Sequence, residues 1–390
     1  MWKSSMPRLK IFWIKTAFPA IPLREVLKPM ISRKVLVCPL DWGIGHASRC
    51  VPVIRKFLAA GMRVVIAADG RPLEFLKSEF PQCRYVRFPG IRIRYPEKGS
   101  MIRKILLQSP KMLLGICREH RVLKRIVRLE KPDIIFSDNR YGLWSRETTC
   151  IFMTHQLEVQ MPARLKIFQS LVRRFIYRFI KKYDACWIPD FELNQGLAGK
   201  LSHPTVVPPH AVYIGTLSRF LENKSRYGPE PEIAYDFMAI LSGPEPQRTL
   251  FEGILLRELE RSGKSAVVVL GRTEEQQDIM LNGRIRVISH AETDRMRELI
   301  LQSGMIICRA GYSSIMDLVS LGKRAILVPT PGQTEQEYLA RLLLDKKIFF
   351  SLPQKSFDLT YAMEMSVNYP GMVLQNDYAV LEEKISALSR

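Results

Sequence analysis

From residue 34 to residue 328 the chain repeats one pattern: a short apolar run, a break of glycine, proline or small polar residues, then a longer stretch with helical spacing. Lys34-Val-Leu-Val-Cys38 reads as the first strand. A glycine-containing loop over 41–46 follows, then a helix over about 47–60 that Gly61 closes, then Arg63-Val-Val-Ile-Ala67 as the next strand. Strands that alternate with helices imply a parallel sheet. Further strands are expected at 84–88, 133–137, 150–154 and 185–188, with long basic helical stretches at about 101–130 and 164–182. A second set follows, with strands at 237–241, 266–270, 285–288, 305–308 and 325–328. Its helices are expected at about 249–262, 293–302, 313–321 and 334–344, and a last one at about 377–389.

This pattern predicts an α/β protein of two doubly wound, Rossmann-like domains that bind ligand in the cleft at the carboxyl ends of their strands. The expected boundaries are a basic arm at 1–32, an N-terminal domain at 33–216, a polar linker with proline and glycine at 217–232, a C-terminal domain at 233–355 and terminal helices at 356–390. A length of 390 residues, 47% hydrophobic and 25% charged, suffices for two full cores. No apolar run reaches the ~18 to 20 residues of a membrane span. The arm mixes Trp2, Phe12 and Trp13 with Lys3, Arg8 and Lys15, which argues against a secretory signal. It reads as a loose membrane-touching arm, or as an extension ahead of a start at Met30.

Charge changes the picture more through its distribution than through its total of +21. Residues 1–200 hold 38 Lys and Arg against 15 Asp and Glu, whereas residues 201–390 hold 21 against 23. An anionic partner should therefore meet the N-terminal half. The stretch 164–182 places Phe168, Leu171, Val172, Phe175, Ile176 and Phe179 on one face and Arg164, Lys166, Arg173, Arg174, Arg178, Lys181 and Lys182 elsewhere. It fits a helix lying on an anionic bilayer, and equally a core-packing helix with a basic solvent face. No nucleic-acid module accompanies the positive charge. Seven cysteines without a C-x-x-C pair read as small core residues in a reducing compartment.

The candidate chemistry is concentrated in the C-terminal half. After the strand at 305–308 comes Arg309-Ala-Gly311-Tyr312-Ser313-Ser314-Ile-Met-Asp317, and one strand later Pro329-Thr-Pro-Gly-Gln333-Thr-Glu335-Gln336. A glycine turn and two hydroxyls at a helix start suit a phosphate, because backbone N–H groups and the helix dipole point at it. A carboxylate one turn later can accept from ribose hydroxyls. A plain strand-to-helix turn would account for Gly311 and one serine, but not for the second serine, Asp317 and the later loop together.

In the N-terminal half, Gly43-Ile-Gly45-His46-Ala-Ser-Arg49 follows the first strand directly. His46 stands at a strand end facing the expected cleft and is suited to accept a proton near neutral pH. The same residues also fit a structural turn with His46 as a helix cap. Asp138, after the strand at 133–137, could fix the tautomer of such a histidine, or serve only as a turn residue. His155 is a further candidate, either against the acceptor or merely in a loop. Ser242, Gly243, Gln247, Arg248 and Thr249 follow the first strand of the second domain and are candidates for the donor phosphates. Asp190-Phe-Glu192 is a lone D-x-E, and no metal cluster is evident.

The order Arg-x-Gly-x-x-Ser-x-x-Asp, a strand, then Pro…Glu-Gln resembles the donor-site signature of GT-B glycosyltransferases. It is most similar to the UDP-glycosyltransferases and to the lipid-linked N-acetylglucosaminyltransferases of peptidoglycan synthesis. The resemblance implies a GT-B fold and an inverting transfer of a hexose or N-acetylhexosamine from a UDP-sugar to a hydroxyl acceptor, lipid-linked at the membrane surface. It implies diphosphate contacts at Gly311, Tyr312, Ser313 and Ser314, with Gly45 and Arg309 nearby, and a ribose contact at Asp317. It also implies sugar contacts at Gln333, Glu335 and Gln336, and His46 as the base with Asp138 behind it. Asp317 is a shorter acid than the glutamate usual in those families. No cofactor, metal or nucleic acid is expected, and the location expected is cytoplasmic, peripheral at the inner membrane face. Gly-x-Gly-His-x-x-Arg is similar also to nucleotide-sugar hydrolases that use water as acceptor. A non-catalytic membrane- or polyanion-binding protein on the same scaffold is a third reading.

Overall fold

The structure, a computed structural model, describes residues 32–91, 101–161, 163–193, 196–221, 231–272, 276–374 and 378–389. The basic arm and most of the linker lie outside these residues. The first domain runs β1 (Lys34–Cys38), α1 (Ile44–Ala59), β2 (Arg63–Ala68), α2 (Gly70–Glu79), β3 (Arg84–Arg87), α3 (Met101–Glu130), β4 (Ile134–Asp138), β5 (Thr149–Met153), α4 (Gln169–Ile180), β6 (Ala185–Ile188) and β7 (Ala211–Tyr213). Its seven strands are ordered β3-β2-β1-β4-β5-β6-β7, and every pair is parallel.

The second domain runs β8 (Tyr235–Ile240), α5 (Gln247–Ser262), β9 (Ala266–Val269), β10 (Asp278–Leu281), β11 (Ile285–Ile288), α6 (Thr293–Leu301), β12 (Ser303–Cys308), α7 (Tyr312–Leu321), β13 (Ala325–Leu327), α8 (Thr334–Asp345), β14 (Phe350–Ser351), α9 (Leu359–Ser366) and α10 (Ala379–Ser389). Its sheet is ordered β10-β11-β9-β8-β12-β13-β14. β10 pairs antiparallel with β11 and the other pairs are parallel. Each domain is doubly wound, and together they form a GT-B fold.

The continuous apolar strands follow from burial on both faces of a parallel sheet. In β1, Val35 and Val37 enter the cluster that holds Ile54 and Phe57, while Leu36 and Cys38 enter the opposite one with Leu123 and Ile180. The first of these clusters does not stop at the domain boundary. It continues through Tyr312 and Ile315 of α7 to Leu381 and Ile385 of α10. α10 thus returns to the first domain, where Arg33 Nη1 donates to the Leu388 carbonyl at 2.7 Å and Lys56 pairs with Glu382 at 2.6 Å.

Three local expectations are corrected. α1 begins at Ile44, so the glycine loop ends earlier and His46 sits in the first helical turn. Gly45 is tolerated there because first-turn N–H groups have no intrahelical partner to lose. The stretch 164–182 is not one helix: a 3-10 turn over Ala163–Phe168 precedes α4. Its apolar face also divides, with Ile176 and Ile180 buried while Phe168, Leu171 and Phe175 are 46%, 64% and 43% exposed. Finally, α2, β7, β10 and β14 had no sequence signal strong enough to mark them. β10 is a short, largely exposed edge strand, where period-2 burial is absent.

The strand order reverses between β1 and β4 in one domain and between β8 and β12 in the other. At these switch points the crossing helices diverge to opposite faces and leave a crevice at the carboxyl edge. The loops after β1, β4, β8 and β12 carry most of the candidate residues.

Candidate active site

α1 is N-capped by Gly43 with no side-chain cap, so the His46 ring is not used to close the helix. Its Nδ1 lies 3.0 Å from Oδ2 of Asp138, the last residue of β4. With Nδ1 on Asp138, Nε2 is the nitrogen left for a substrate. His46 lines a cleft of ≈ 300 Å³ whose wall also includes Ser242, Gly243, Gly311, Ser314 and Glu335.

One helical turn on, Arg49 is buried behind this pair. Its Nε lies 3.1 and 2.9 Å from the two Asp138 oxygens, and its Nη2 makes a further contact with Oδ1. Burial works to raise the Asp138 carboxyl; the Arg49 charge, then His46, and hydrogen bonds from both more than reverse this and hold it at about 2. Arg49 also reaches both neighbouring rings, with Nη2 2.9 Å from His46 Nδ1 and Nη1 2.9 Å from His155 Nδ1.

His155 carries the network across the cleft. Its Nε2 is 2.9 Å from Glu335 Oε1 in the first turn of α8, and Gln156 Nε2 donates to the other Glu335 oxygen. The ring lies flat on Tyr312, centroids 4.3 Å apart at 11°. Burial lowers the His155 pKa, against the pull of Glu335. Burial, the largest influence, acts to raise the Glu335 carboxyl, but His155, His46 and Arg49 together outweigh it and the net shift is downward.

On the second-domain wall, α7 is N-capped by Gly311 and α8 by Gln333, neither with a side-chain cap, and α5 starts at Gln247 in the same way. The starts of α1, α7 and α8 border the cleft, an arrangement that favours an anionic group, whereas at the start of α5 Glu245 already accepts from Thr249 N at 3.3 Å. Ser313 Oγ donates to the Gly45 carbonyl at 2.8 Å, so the two walls touch at the glycine motif itself. A Cβ on Gly45 would stand 3.3 Å from that hydroxyl. Gln336 is turned inward and its Oε1 accepts from Thr330 N at 2.9 Å, which shapes the loop.

Asp317 lines the cleft but is already engaged. Ser218 Oγ donates to it at 2.7 Å, and Arg219 Nε lies 3.8 Å away. Burial outweighs Arg219 and these hydrogen bonds, and pushes its carboxyl up to about 6. A ribose would share this carboxylate with the segment that joins the domains.

Three residues expected at the phosphates, Arg309, Gln247 and Thr249, do not line the cleft. Arg309 is 1% exposed and points away from the cleft. It donates to the Val328 and Gln247 carbonyls at 3.2 and 2.8 Å and to Gln354 Oε1 at 2.8 Å, and stacks on Phe251. Gln247 accepts at its own Oε1 from Gln354 and does not line the cleft. Thr249 bonds to Glu245, and Arg248 reaches the cleft edge with its guanidinium spent on Glu245 and Glu252. A basic residue just past a strand was not by itself evidence of outward orientation.

Asp190 of the D-x-E is structural, because it accepts from Leu197 N, Ala198 N and Ser202 Oγ at 2.8, 3.0 and 2.6 Å. Among the described residues no group of three or more His, Cys, Asp or Glu is placed to hold a metal. Sequence reading passed over Arg49, Gln156 and Arg219 as site residues. Arg49 did carry a signal, since it lies one turn from His46 on the same helix face.

Residues 256–364 match the glycosyltransferase family 28 C-terminal domain. An uncharacterised glycosyltransferase of Methanosarcina acetivorans is 24% identical over 335 residues, covering 80% of this chain and 81% of that protein. The UDP-N-acetylglucosamine–N-acetylmuramyl-(pentapeptide) pyrophosphoryl-undecaprenol N-acetylglucosamine transferase of Caldanaerobacter subterraneus is 24% identical over 121 residues, covering 30% and 31% of the two chains. Among solved structures, spinosyn rhamnosyltransferase SpnG complexed with thymidine diphosphate aligns with a TM-score of 0.58 at 15% identity, over 91% of this chain and 95% of that one. MurG of Acinetobacter baumannii aligns with a TM-score of 0.50 at 12% identity, over 92% and 94%. The chain thus has the GT-B fold, is similar to glycosyltransferases along most of its length, and matches family 28 of them over residues 256–364.

Proposed function

We propose that the chain transfers a hexose or N-acetylhexosamine from a UDP-sugar to a hydroxyl acceptor, with inversion. The observation that carries this reading is the His46–Asp138 pair at 3.0 Å, set in the same cleft as the uncapped start of α7. The diphosphate rests on the N–H groups and hydroxyls of Gly311 to Ser314, and Glu335 meets the sugar. His46 Nε2 takes the acceptor proton as the acceptor oxygen attacks the anomeric carbon from the face opposite the leaving UDP. Asp138 stabilises the imidazolium that results. Helix N-termini and hydroxyls stabilise charge on the departing diphosphate, with no metal required.

The acceptor is lipid-linked in this reading, and the protein works at the cytoplasmic membrane face. Phe168, Leu171 and Phe175 are exposed beside Arg174, Arg178 and Lys181, a surface suited to an anionic bilayer.

His46→Ala should lower transfer by a factor of about 10² to 10⁴, the usual contribution of a general base. It should leave the thermal shift caused by UDP within about 1 °C of the parent's. Full turnover in this variant overturns the base assignment. A thermal-shift panel of UDP-, dTDP- and GDP-sugars tests the nucleotide, and flotation with phosphatidylglycerol vesicles tests the surface. UDP release that needs no added acceptor, matched by free sugar, would make the chain a hydrolase.

A further inference from the structure

In α3, His120, Lys124 and Arg128 recur at four-residue spacing, so their side chains form one row along the helix. Leu123 and Val127 beside them are buried in the first-domain core, which fixes the row at the surface. Across from it is the turn after β4, where Trp144, Ser145, Arg146 and Glu147 follow the buried Leu143. Row and turn enclose a concavity of ≈ 360 Å³. None of the residues that line it lines the active-site cleft.

The walls are held in place. His120 stacks on Trp144, centroids 4.2 Å apart at 22°, and its Nδ1 donates to the Gly142 carbonyl at 3.2 Å. Lys182 Nζ lies 4.4 Å from the centre of the Trp144 ring. Ser145 N donates to Cys150 Sγ and Glu147 N to Ser145 Oγ, both at 3.1 Å, which fixes the turn.

The charge gathered there is not compensated. Lys124, Arg128 and Arg146 make no ion pair with any described residue, and Glu147 is the only acid among the described residues that line the concavity. His120 registers the excess. Burial lowers its pKa, the bond to Gly142 opposes this, and the charges of Lys124 and Lys182 add to the lowering.

We propose that this concavity is a second ligand site, for a phosphate group carried on an apolar chain. A phosphate monoester brings about two negative charges and three acceptor oxygens, which suits three converging cations better than a single carboxylate does. Free phosphate uses the cations alone. A lipid phosphate also uses the apolar wall of Leu123, Val127 and Trp144, gaining about fourfold in affinity for each methylene buried. The site stands independently of the transfer reaction.

Fluorine NMR of the whole chain labelled with fluorotryptophan tests it. Of the five tryptophans, Trp144 is the signal lost in Trp144→Phe, and Trp42, which lines the cleft, reports binding there in the same spectrum. The chain is titrated with inorganic pyrophosphate, with dihexanoyl phosphatidic acid below its micelle concentration, and with dihexanoyl phosphatidylcholine. The Trp144 signal should move saturably with the first two. A midpoint at least about tenfold lower for phosphatidic acid identifies a lipid phosphate as the ligand, and comparable midpoints identify free phosphate. Lys124→Ala with Arg128→Ala should raise the midpoint about tenfold, a few-fold for each exposed ion pair removed. Arg121→Ala with Arg125→Ala removes the same charge from exposed positions of α3 outside the concavity, and should leave the midpoint within about twofold. A Trp144 signal that no phosphate moves, or midpoints that rise alike in the two double variants, overturns the proposal. So does a response to phosphatidylcholine equal to that for phosphatidic acid.

Discussion

His155 Nε2 and Glu335 Oε1 lie 2.9 Å apart, although one belongs to the first domain and the other to the second. The contact spans the cleft beside His46 and ties Glu335 to a buried imidazole. Burial, the largest influence on His155, lowers its pKa below the ordinary histidine value. The unfolded chain therefore takes up this proton first as pH falls, and stability declines below about pH 6.5. Melting temperature should drop between pH 7.5 and 5.5, and less steeply in His155→Asn, which has no proton to gain. Equal slopes for the two proteins would remove His155 from the account.

Asp317 has the opposite linkage. Its carboxyl is raised to about 6, above the unfolded value, so its ionisation destabilises the fold as pH rises through 4 to 6. Asp317→Asn keeps the acceptor for Ser218 Oγ and should stabilise the ligand-free protein at pH 7.5 by about 1–3 kcal/mol. The gain should vanish near pH 4. The same variant should bind UDP about tenfold more weakly, the loss of roughly one hydrogen bond to a charged group. Stabilisation at both pH values would mean that the carboxylate does not titrate as described.

Asp138→Asn leaves the Arg49 guanidinium buried without its counter-charge. Breaking a buried pair on one side destabilises by about 3–5 kcal/mol, to be read from denaturant midpoints at pH 7.5. In the parent, where the Asp138 carboxyl is held near 2, this contribution is present above about pH 4 and is lost as pH falls toward 2.

Gly45→Ala puts a methyl group 3.3 Å from Ser313 Oγ, at the point where the two walls meet. The closed cleft should be disfavoured by about 1 kcal/mol, seen as a several-fold higher KM for the donor. Ser313→Gly in the same chain removes the obstructing hydroxyl and should recover the closure, though not the phosphate contact. A KM that does not respond to Gly45→Ala would show that the walls need not approach this closely.

Arg309→Met separates structure from binding. The guanidinium ties the loops after β8 and β13 to Gln354, so its removal should destabilise by about 2–4 kcal/mol. The folded fraction should bind UDP within about twofold of the parent. A much larger loss of UDP affinity at unchanged stability would restore Arg309 as a donor contact.

The pattern of apolar runs and breaks was enough to place most strands and helices, because a parallel sheet buried on both faces has few alternatives to continuous Val-Ile-Leu segments. Lys34–Cys38, Ala185–Ile188 and Ile285–Ile288 begin and end where the pattern says. The sequence also determined that Gly43–His46 and Gly311–Asp317 follow strands directly, which in a doubly wound sheet brings both to the carboxyl edge. Short edge elements such as Asp278–Leu281 were not legible, since an exposed strand carries no burial period.

What the tertiary structure alone decided is which way each side chain turns and what it is already bonded to. Arg309 directly follows β12 and Arg49 lies in the second turn of α1, yet the first braces loops outside the cleft and the second stands behind His46. Asp317 and Glu335 look like free acids in the sequence. In the fold, Asp317 is shared with Ser218 and Glu335 with His155. These partners lie about one hundred or more residues away, and no local pattern encodes a hydrogen bond that two separate domains complete.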